Sequence, residues 1–236
     1  MASVLNIIQD ACRDVHILPI PNSLVNNNTP DIALMYRKLT TLGKMLVKDY
    51  AFQELIKEAT FTSVGTTDQG NILDIAGSDF SHIIPDTITN ERPTKVTYVS
   101  SEKEWTEFRI LRPSLPVFRL RGNRLLLLPN NYAGDTWYFE YISKNWVLSE
   151  NGNSKDTITV DTDTTVFNEE LMTLGTVSMF KQDKGLDNTA DAAKFEKLLN
   201  DLIFNNEPKQ PISMGCKYND DVNPFVPPSG DAWSIA

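Results

Sequence analysis

Five arginines fall within sixteen residues of this chain: Arg109, Arg112, Arg119, Arg121 and Arg124. A guanidinium is permanently charged and presents a planar fork of donors, so such a group suits directed pairing with carboxylates or phosphates. Three uses are open to it. The arginines can pair with Glu102, Glu104, Glu107 or Glu140 nearby, face an acidic neighbouring subunit, or face nucleic acid passing close by. Other reactive types are sparse. His16 and His82 are the two histidines, and neither stands at a metal-type spacing from a cysteine or an acid. Asp74 and Asp79, or Asp161 and Asp163, are the nominees for acid–base work or a divalent cation, although acids flanking strands are usually solvated. There is no Gly-x-x-x-x-Gly-Lys-Ser/Thr loop and no Gly-x-Ser-x-Gly elbow. Gly65-Thr-Thr-Asp-Gln-Gly70 lacks the phosphate-binding lysine and reads as a turn. The sequence therefore assigns no catalytic residue, metal ligand or cofactor.

The elements that position these residues follow from periodicity. Val4, Leu5, Ile7, Ile8, Ala11 and Cys12 recur at helical spacing, with Ser3 placed to cap them. Pro19, Pro21 and an Asn-rich run at 26–28 then break the chain. Thr29-Pro30-Asp31 opens a second helix, whose apolar positions continue through 52, 55 and 56; Gly43 reads either as a helical position or as a break. From Thr60 the period changes. Phe61–Val64, Lys95–Val99, Trp105–Ile110, Pro116–Arg121, Arg124–Leu128, Asp135–Ile142 and Asp156–Asp161 read as extended, with Gly122-Asn123 as a tight hairpin turn. In the aromatic strand, Trp137, Phe139 and Tyr141 share one face and should be core. Helical spacing returns at Thr164 or Thr165 and ends at Gly185; a last helix runs from Ala190 to Phe204.

These elements predict an α+β fold. A helical bundle is built from residues 1–60 and 164–204, an antiparallel β-rich unit of five to seven strands occupies 61–163, and an extended C-terminal arm spans 205–236. The arm carries spaced prolines with Ile212, Met214, Tyr218, Phe225, Trp233 and Ile235 between them. Either a partner or the domain itself can take up such apolar anchors.

At 236 residues with 41% apolar content, the chain can bury a substantial core. A net charge of -9 disfavours a main role in gripping phosphate backbones. Cys12 and Cys216 are too few and too far apart for a disulfide scaffold, which predicts a reducing compartment. No signal-peptide pattern or bilayer-length apolar run occurs, so synthesis in the cytoplasm, away from membranes, is the expectation.

Several segments carry a resemblance. Val4-Leu-Asn-Ile-Ile-Gln-Asp-Ala11 resembles the opening of head-to-tail adaptor proteins of tailed bacteriophages. So do Ala51–Phe61 as the end of a second helix, the passage Asp79-Phe80…Ile84-Pro85…Arg92-Pro93, the strand Gly134–Tyr141, and Phe167-Asn-Glu-Glu-Leu171 at a helix start. The likeness covers residues 2 to 204 in order. It implies a ring, commonly of twelve copies, at the neck of the virion beneath the portal protein. Such a ring extends the DNA exit channel and docks tail or nozzle proteins, and genomic DNA passes without tight binding. By position, the segment from Glu207 onward becomes the portal- or neighbour-binding arm, and the helices containing Leu171 and Phe195 become bundle elements. The resemblance implies no catalytic residue. The inserted β unit is substantial for the family, and its place (outward, toward tail components, or between subunits) stays open. Alternative readings are another neck or tail-completion protein, a nucleic-acid-binding module using the arginines, and an enzyme whose site is assembled from scattered carboxylates.

Overall fold

Ser3 opens the first helix, α1 (Val4–Val15), by accepting the Asn6 amide on its hydroxyl at 3.2 Å. Val4, Ile7, Ile8, Ala11 and Cys12 form its buried face, and His16 ends it in the left-handed region at φ 60°. In the computed structural model, residues 2–25, 27–91 and 96–206 are described. The predicted arm at 205–236, with all six of its anchors, lies outside them from residue 207 onward, as do Arg92 and Pro93.

The second helix, α2 (Pro30–Asp49), has proline at its first position as expected. Thr29 does not cap it with its side chain; its amide instead donates to Asn27 Oδ1 at 2.9 Å. The chain then leaves the helix at Asp49, seven residues before the last apolar position of the helical spacing, Ile56. After a 3-10 turn at Gln53–Leu55, residues Ile56–Thr62 form strand β1. Helical spacing loses here because pairing along an aromatic strand is available, and β preference is set by such cross-strand neighbours.

The middle of the chain runs β2 (Asp68–Asn71), α3 (Ile72–Ala76), β3 (Phe80–Ile83), β4 (Thr89–Asn90), β5 (Thr97–Tyr98), α4 (Glu102–Leu111), β6 (Val117–Arg121), β7 (Arg124–Leu128) and β8 (Thr136–Ser143). Then come β9 (Val147–Leu148), β10 (Ser154–Lys155), β11 (Thr164–Thr165), α5 (Glu169–Asp183) and α6 (Thr189–Asn206). Three of these elements correct the sequence reading. Trp105–Ile110 is not a strand but most of α4, started by an N-cap in which Ser101 Oγ accepts the Glu104 amide at 3.5 Å. Asp156–Asp161 is not a strand but part of the loop between β10 and β11. The fifth helix begins at Glu169, not Thr164, because Asn168 is its cap: Asn168 Oδ1 accepts the Leu171 amide at 3.1 Å.

The fold is mixed α+β, with six helices and three sheets among the described residues. Strand β8 is the centre of one sheet, flanked by β1 on one side and by β3 and β4 on the other. In its register Ala59 faces Phe139 and Phe61 faces Trp137, which puts Trp137, Phe139 and Tyr141 into a common core. A second sheet runs β2-β7-β6-β5; its β6–β7 hairpin turns at Gly122, φ 59°. The pairing of β5 with β6 is parallel, against the all-antiparallel expectation. The third, small sheet is β10-β9-β11.

One large core joins α1, α2, α5 and α6, the helices from the two ends of the described chain, with Ile142, Trp146, Val147, Ile158 and Phe167. Trp146 explains Gly43. The indole lies across α2 at that point, and a Cβ on Gly43 would sit 2.6 Å from three ring carbons. The glycine is therefore an ordinary helical position that leaves room for a neighbour, not a break.

Candidate functional site

The nominated carboxylates are occupied by the fold. Asp163 is fully buried and accepts Lys155 Nζ on both oxygens at 2.8 Å, together with the amides of Thr159 (2.8 Å) and Val160 (3.0 Å). Burial pushes its carboxyl up, but Lys155 and the two amides outweigh that and hold it below its ordinary value. Asp161 accepts the amides of Leu24 (3.0 Å) and Val25 (2.9 Å), tying the loop after β10 to the chain between α1 and α2. Asp161 thus fastens two distant segments, while Asp163 closes its own loop on Lys155, which stands where a cation would be needed.

Asp79 plays a similar part in the first sheet. Its Oδ2 accepts Lys57 Nζ at 2.6 Å and Ser143 Oγ at 2.8 Å, and its Oδ1 accepts the Tyr141 hydroxyl at 3.3 Å. Burial, and then the Asp79 charge, push the Tyr141 phenol up to about 12, so it stays a donor, chiefly to the Ala76 carbonyl at 2.8 Å. Asp74 is exposed on α3. These groups are bound to one another rather than aimed into a cleft.

His16 is a helix terminator and exposed. His82 lies half-buried on β3, beside a cavity of 210 Å³ lined also by Ile83, Pro85, Tyr98, Phe118 and Leu120. Burial lowers its basicity. Cys12 is a buried free thiol facing Met35 Sδ at 3.6 Å; burial, reinforced by Asp31, pushes it up to about 11, which makes it inert. Among the described residues, no group of three or more histidine, cysteine or acidic side chains is arranged to hold a metal ion, and no helix is long and apolar enough to cross a membrane.

The arginines divide. Arg119 donates to Glu102 Oε2 at 2.6 Å, one of the pairings its neighbourhood suggested. Arg124 holds Asp68 through two nitrogens, Nε and Nη2, at 2.8 and 2.5 Å. Arg109, Arg112 and Arg121 are exposed and make no ion pair among the described residues. Thus two of the five are spent on carboxylates, and the register sets Arg121 opposite Arg124 across the β6–β7 hairpin.

What the sequence reading missed is apolar. Ile110 and Leu111 are 75% and 76% exposed at the end of α4, and Leu115 follows them, also exposed. Trp105 and Phe108 turn inward from the same helix; Ile110 lies across the helix from them, and Leu111, at the last helical position, is exposed despite following Phe108 by three residues. Arg112 ends the helix in the left-handed region, φ 51°, and swings the chain into Pro113-Ser-Leu-Pro116. The Ser101–Glu104 capping signature was the available clue: read as a helix, the segment puts Ile110 and Leu111 off the Trp105 side. A separate groove of 530 Å³ runs between α1 and the start of α5 and is acidic, with Asp10, Asp14, Glu169 and Glu170 on its walls.

No protein-family model matches this chain, and no curated protein sequence matches it.

Proposed function

We propose that this chain is a non-enzymatic structural subunit of a virion: a head-to-tail adaptor that forms a ring beneath the portal protein. Its helical bundle, α1, α2, α5 and α6, would carry the ring, with the β-rich middle of the chain inserted between the two halves. The arm of 205–236 would engage the portal or a neighbouring copy. In this role the ring extends the DNA channel at the virion neck and docks tail or nozzle proteins. The observation that carries the reading is the shared core of α1, α2, α5 and α6, with the β-rich middle between them in sequence, because that order is the one the resemblance implies. Carboxylates consumed in structural pairing agree with a role in packing rather than turnover. The engagement of Arg119 and Arg124 with Glu102 and Asp68 weighs against a nucleic-acid-binding module built on the arginine cluster.

The test is a cryo-electron-microscopy reconstruction of the neck of particles that contain the chain. The expected result is a closed ring against the portal, with residues 207–236 ordered on the portal or on the adjacent copy. A neck lacking the chain, or holding it as isolated copies on the tail surface, would sink the adaptor reading. Deleting 207–236 gives a second check: the remaining protein should keep its unfolding transition and lose attachment.

A further inference from the structure

The end of α4 is an apolar projection with a basic rim. Ile110, Leu111 and Leu115 stand in solvent, and Arg109 and Arg112 flank them without an ion pair among the described residues. The acids of this helix, Glu102, Glu104 and Glu107, sit in its first two turns and outnumber Lys103 there, so the net positive charge belongs to the projecting end. Several large aliphatic side chains left together in water, beside unpaired guanidinium groups, mark a surface that a partner covers.

The same chain carries a surface of opposite character on different elements. The groove between α1 and the start of α5 is walled by Asp10, Asp14, Glu169 and Glu170, with the partly buried Leu174 among its lining residues. Asp10 already holds Arg13. Asp14, Glu169 and Glu170 make no ion pair among the described residues, so the groove keeps net negative charge. Its volume, 530 Å³, accommodates several aliphatic side chains. The projection belongs to the small core of Val99, Trp105, Val117 and Leu128, whereas the groove lies on the helical core. The two surfaces are therefore distinct, complementary in charge, and each has an apolar element.

We propose that the end of α4, with Ile110, Leu111 and Leu115 inside a rim of Arg109 and Arg112, docks in the α1–α5 groove of a second copy of this chain. A contact between two different surfaces is heterologous and propagates from copy to copy, closing into a ring when its rotation allows. The inference deepens the ring reading and rests on it, since it names the surfaces by which copies join. The apolar side chains supply the desolvated centre. The arginines select orientation and resist docking of like surfaces.

Charge reversal tests it, using the full-length chain throughout. Two double variants are made, Arg109→Glu with Arg112→Glu, and Glu169→Arg with Glu170→Arg. Association is followed by sedimentation at low salt up to on the order of 1 mM, the concentration beyond which a contact has no useful affinity. The wild-type chain is expected to associate, and each double variant alone to lose association at least tenfold. A one-to-one mixture should recover it, because every reversed projection then meets a reversed groove and every native projection a native one. Circular dichroism and the thermal midpoint confirm that both variants are folded. Separately, Ile110→Ser with Leu111→Ser should weaken association, with no rescue on mixing.

Two outcomes overturn the inference. If wild type associates and both reversals associate equally well, copies join through other surfaces, and the ring reading survives without this one. If wild type stays monomeric throughout the range, these surfaces do not hold copies together. The neck reconstruction then judges the ring reading on its own, since a portal can assemble copies that do not self-associate.

Discussion

Helices α4 and α5 have nearly opposite relations to the protein around them. Helix α5 is enclosed by α1, α2 and α6, and its buried positions include Thr173, Gly175, Thr176 and Ser178 beside Leu171, Met172, Val177 and Phe180. Helix α4 buries Trp105 and leaves Ile110 and Leu111 in solvent. Polarity of composition thus fails to sort inside from outside in either helix. In α5 the interior hydroxyls are satisfied locally: Thr176 Oγ1 donates to the Met172 carbonyl at 2.7 Å and Thr173 Oγ1 to that of Glu169 at 3.0 Å. Small side chains can then line a close helix crossing at little cost. In α4 Trp105, with the partly buried Phe108, anchors the helix, and Ile110 and Leu111 are left for another surface. One helix holds the molecule together, and the other is attached to it.

If that contrast is right, damage near α5 and its neighbours should dominate stability. The largest effect is expected from Trp146→Ala. Trp146 is fully buried against α2, near-parallel to Phe167 at 6.2 Å between ring centres, and it donates Nε1–H to the Asp156 carbonyl at 3.0 Å. Its loss should cost about 3–5 kcal/mol in urea denaturation. A smaller loss would mean the helical core closes around the space.

Asp163→Asn comes next. It removes the charge that holds Lys155 and weakens the acceptor of two amides, and breaking a buried pair is expected to cost about 3 kcal/mol, the low end of the range, because 24% of the Lys155 side chain remains exposed. The pH dependence has a defined sign. Asp161 and Asp163 are both held below the ordinary 3.8 in the folded chain. Their contribution is complete above about pH 4 and disappears as the pH falls through the lower folded values. Wild type should therefore lose stability on acidification through that window, and Asp163→Asn should show a flatter acid limb. Parallel acid limbs in the two proteins would refute the pairing.

Two glycines give a graded comparison within the helical core. Gly43→Ala puts a methyl group 2.6 Å from an indole that is pinned by a hydrogen bond and a stacked ring, and should cost about 2 kcal/mol. Gly175→Ala meets only the ends of Leu42 and Phe195, which can move, so about 1 kcal/mol is expected. The order of the two, read from thermal midpoints, is the informative result. On α4 the corresponding device is the Ser101 cap. Its hydrogen bond is long, 3.5 Å, and exposed, so Ser101→Ala should cost only about 0.5 kcal/mol.

Much of the molecule was legible in the sequence where one physical signal acted alone. Ser3 and the apolar face of α1, Pro30 at the start of α2, the Gly122 hairpin and the inward face of Trp137, Phe139 and Tyr141 all follow from local rules. It failed where two signals competed. Ile56 and Ala59 continue a helical spacing, yet strand β8 offers them paired backbone and aromatic neighbours. Trp105–Ile110 is rich in β-favouring side chains, yet Ser101 and Glu104 start a helix that only burial of Trp105 and Phe108 fixes. The arginine cluster was visible as composition, but which members are spent on Glu102 and Asp68 depends on sheet register and on a distant strand, neither of which spacing reveals. Likewise Asp161 and Asp163 were visible as acids; that they close loops around Lys155 and the Leu24–Val25 amides is a tertiary fact.

The smallest expected effect divides the two helices most sharply. Ile110→Ser and Leu111→Ser, together, remove two large aliphatic side chains from the chain. Placed in a core, such a change would cost several kcal/mol, by the same reasoning that applies to Trp146. At the end of α4 those side chains are three-quarters exposed and lie off the side that carries Trp105, so there is little burial to lose. Stability should stay within about 0.5 kcal/mol of wild type, as for surface substitutions in general, and solubility at high concentration should rise. A loss above about 1 kcal/mol in the monomer would show that Ile110 and Leu111 pack at home in solution. The contrast between a helix that holds the fold and one that serves its surroundings would then collapse, because both would be doing the same work.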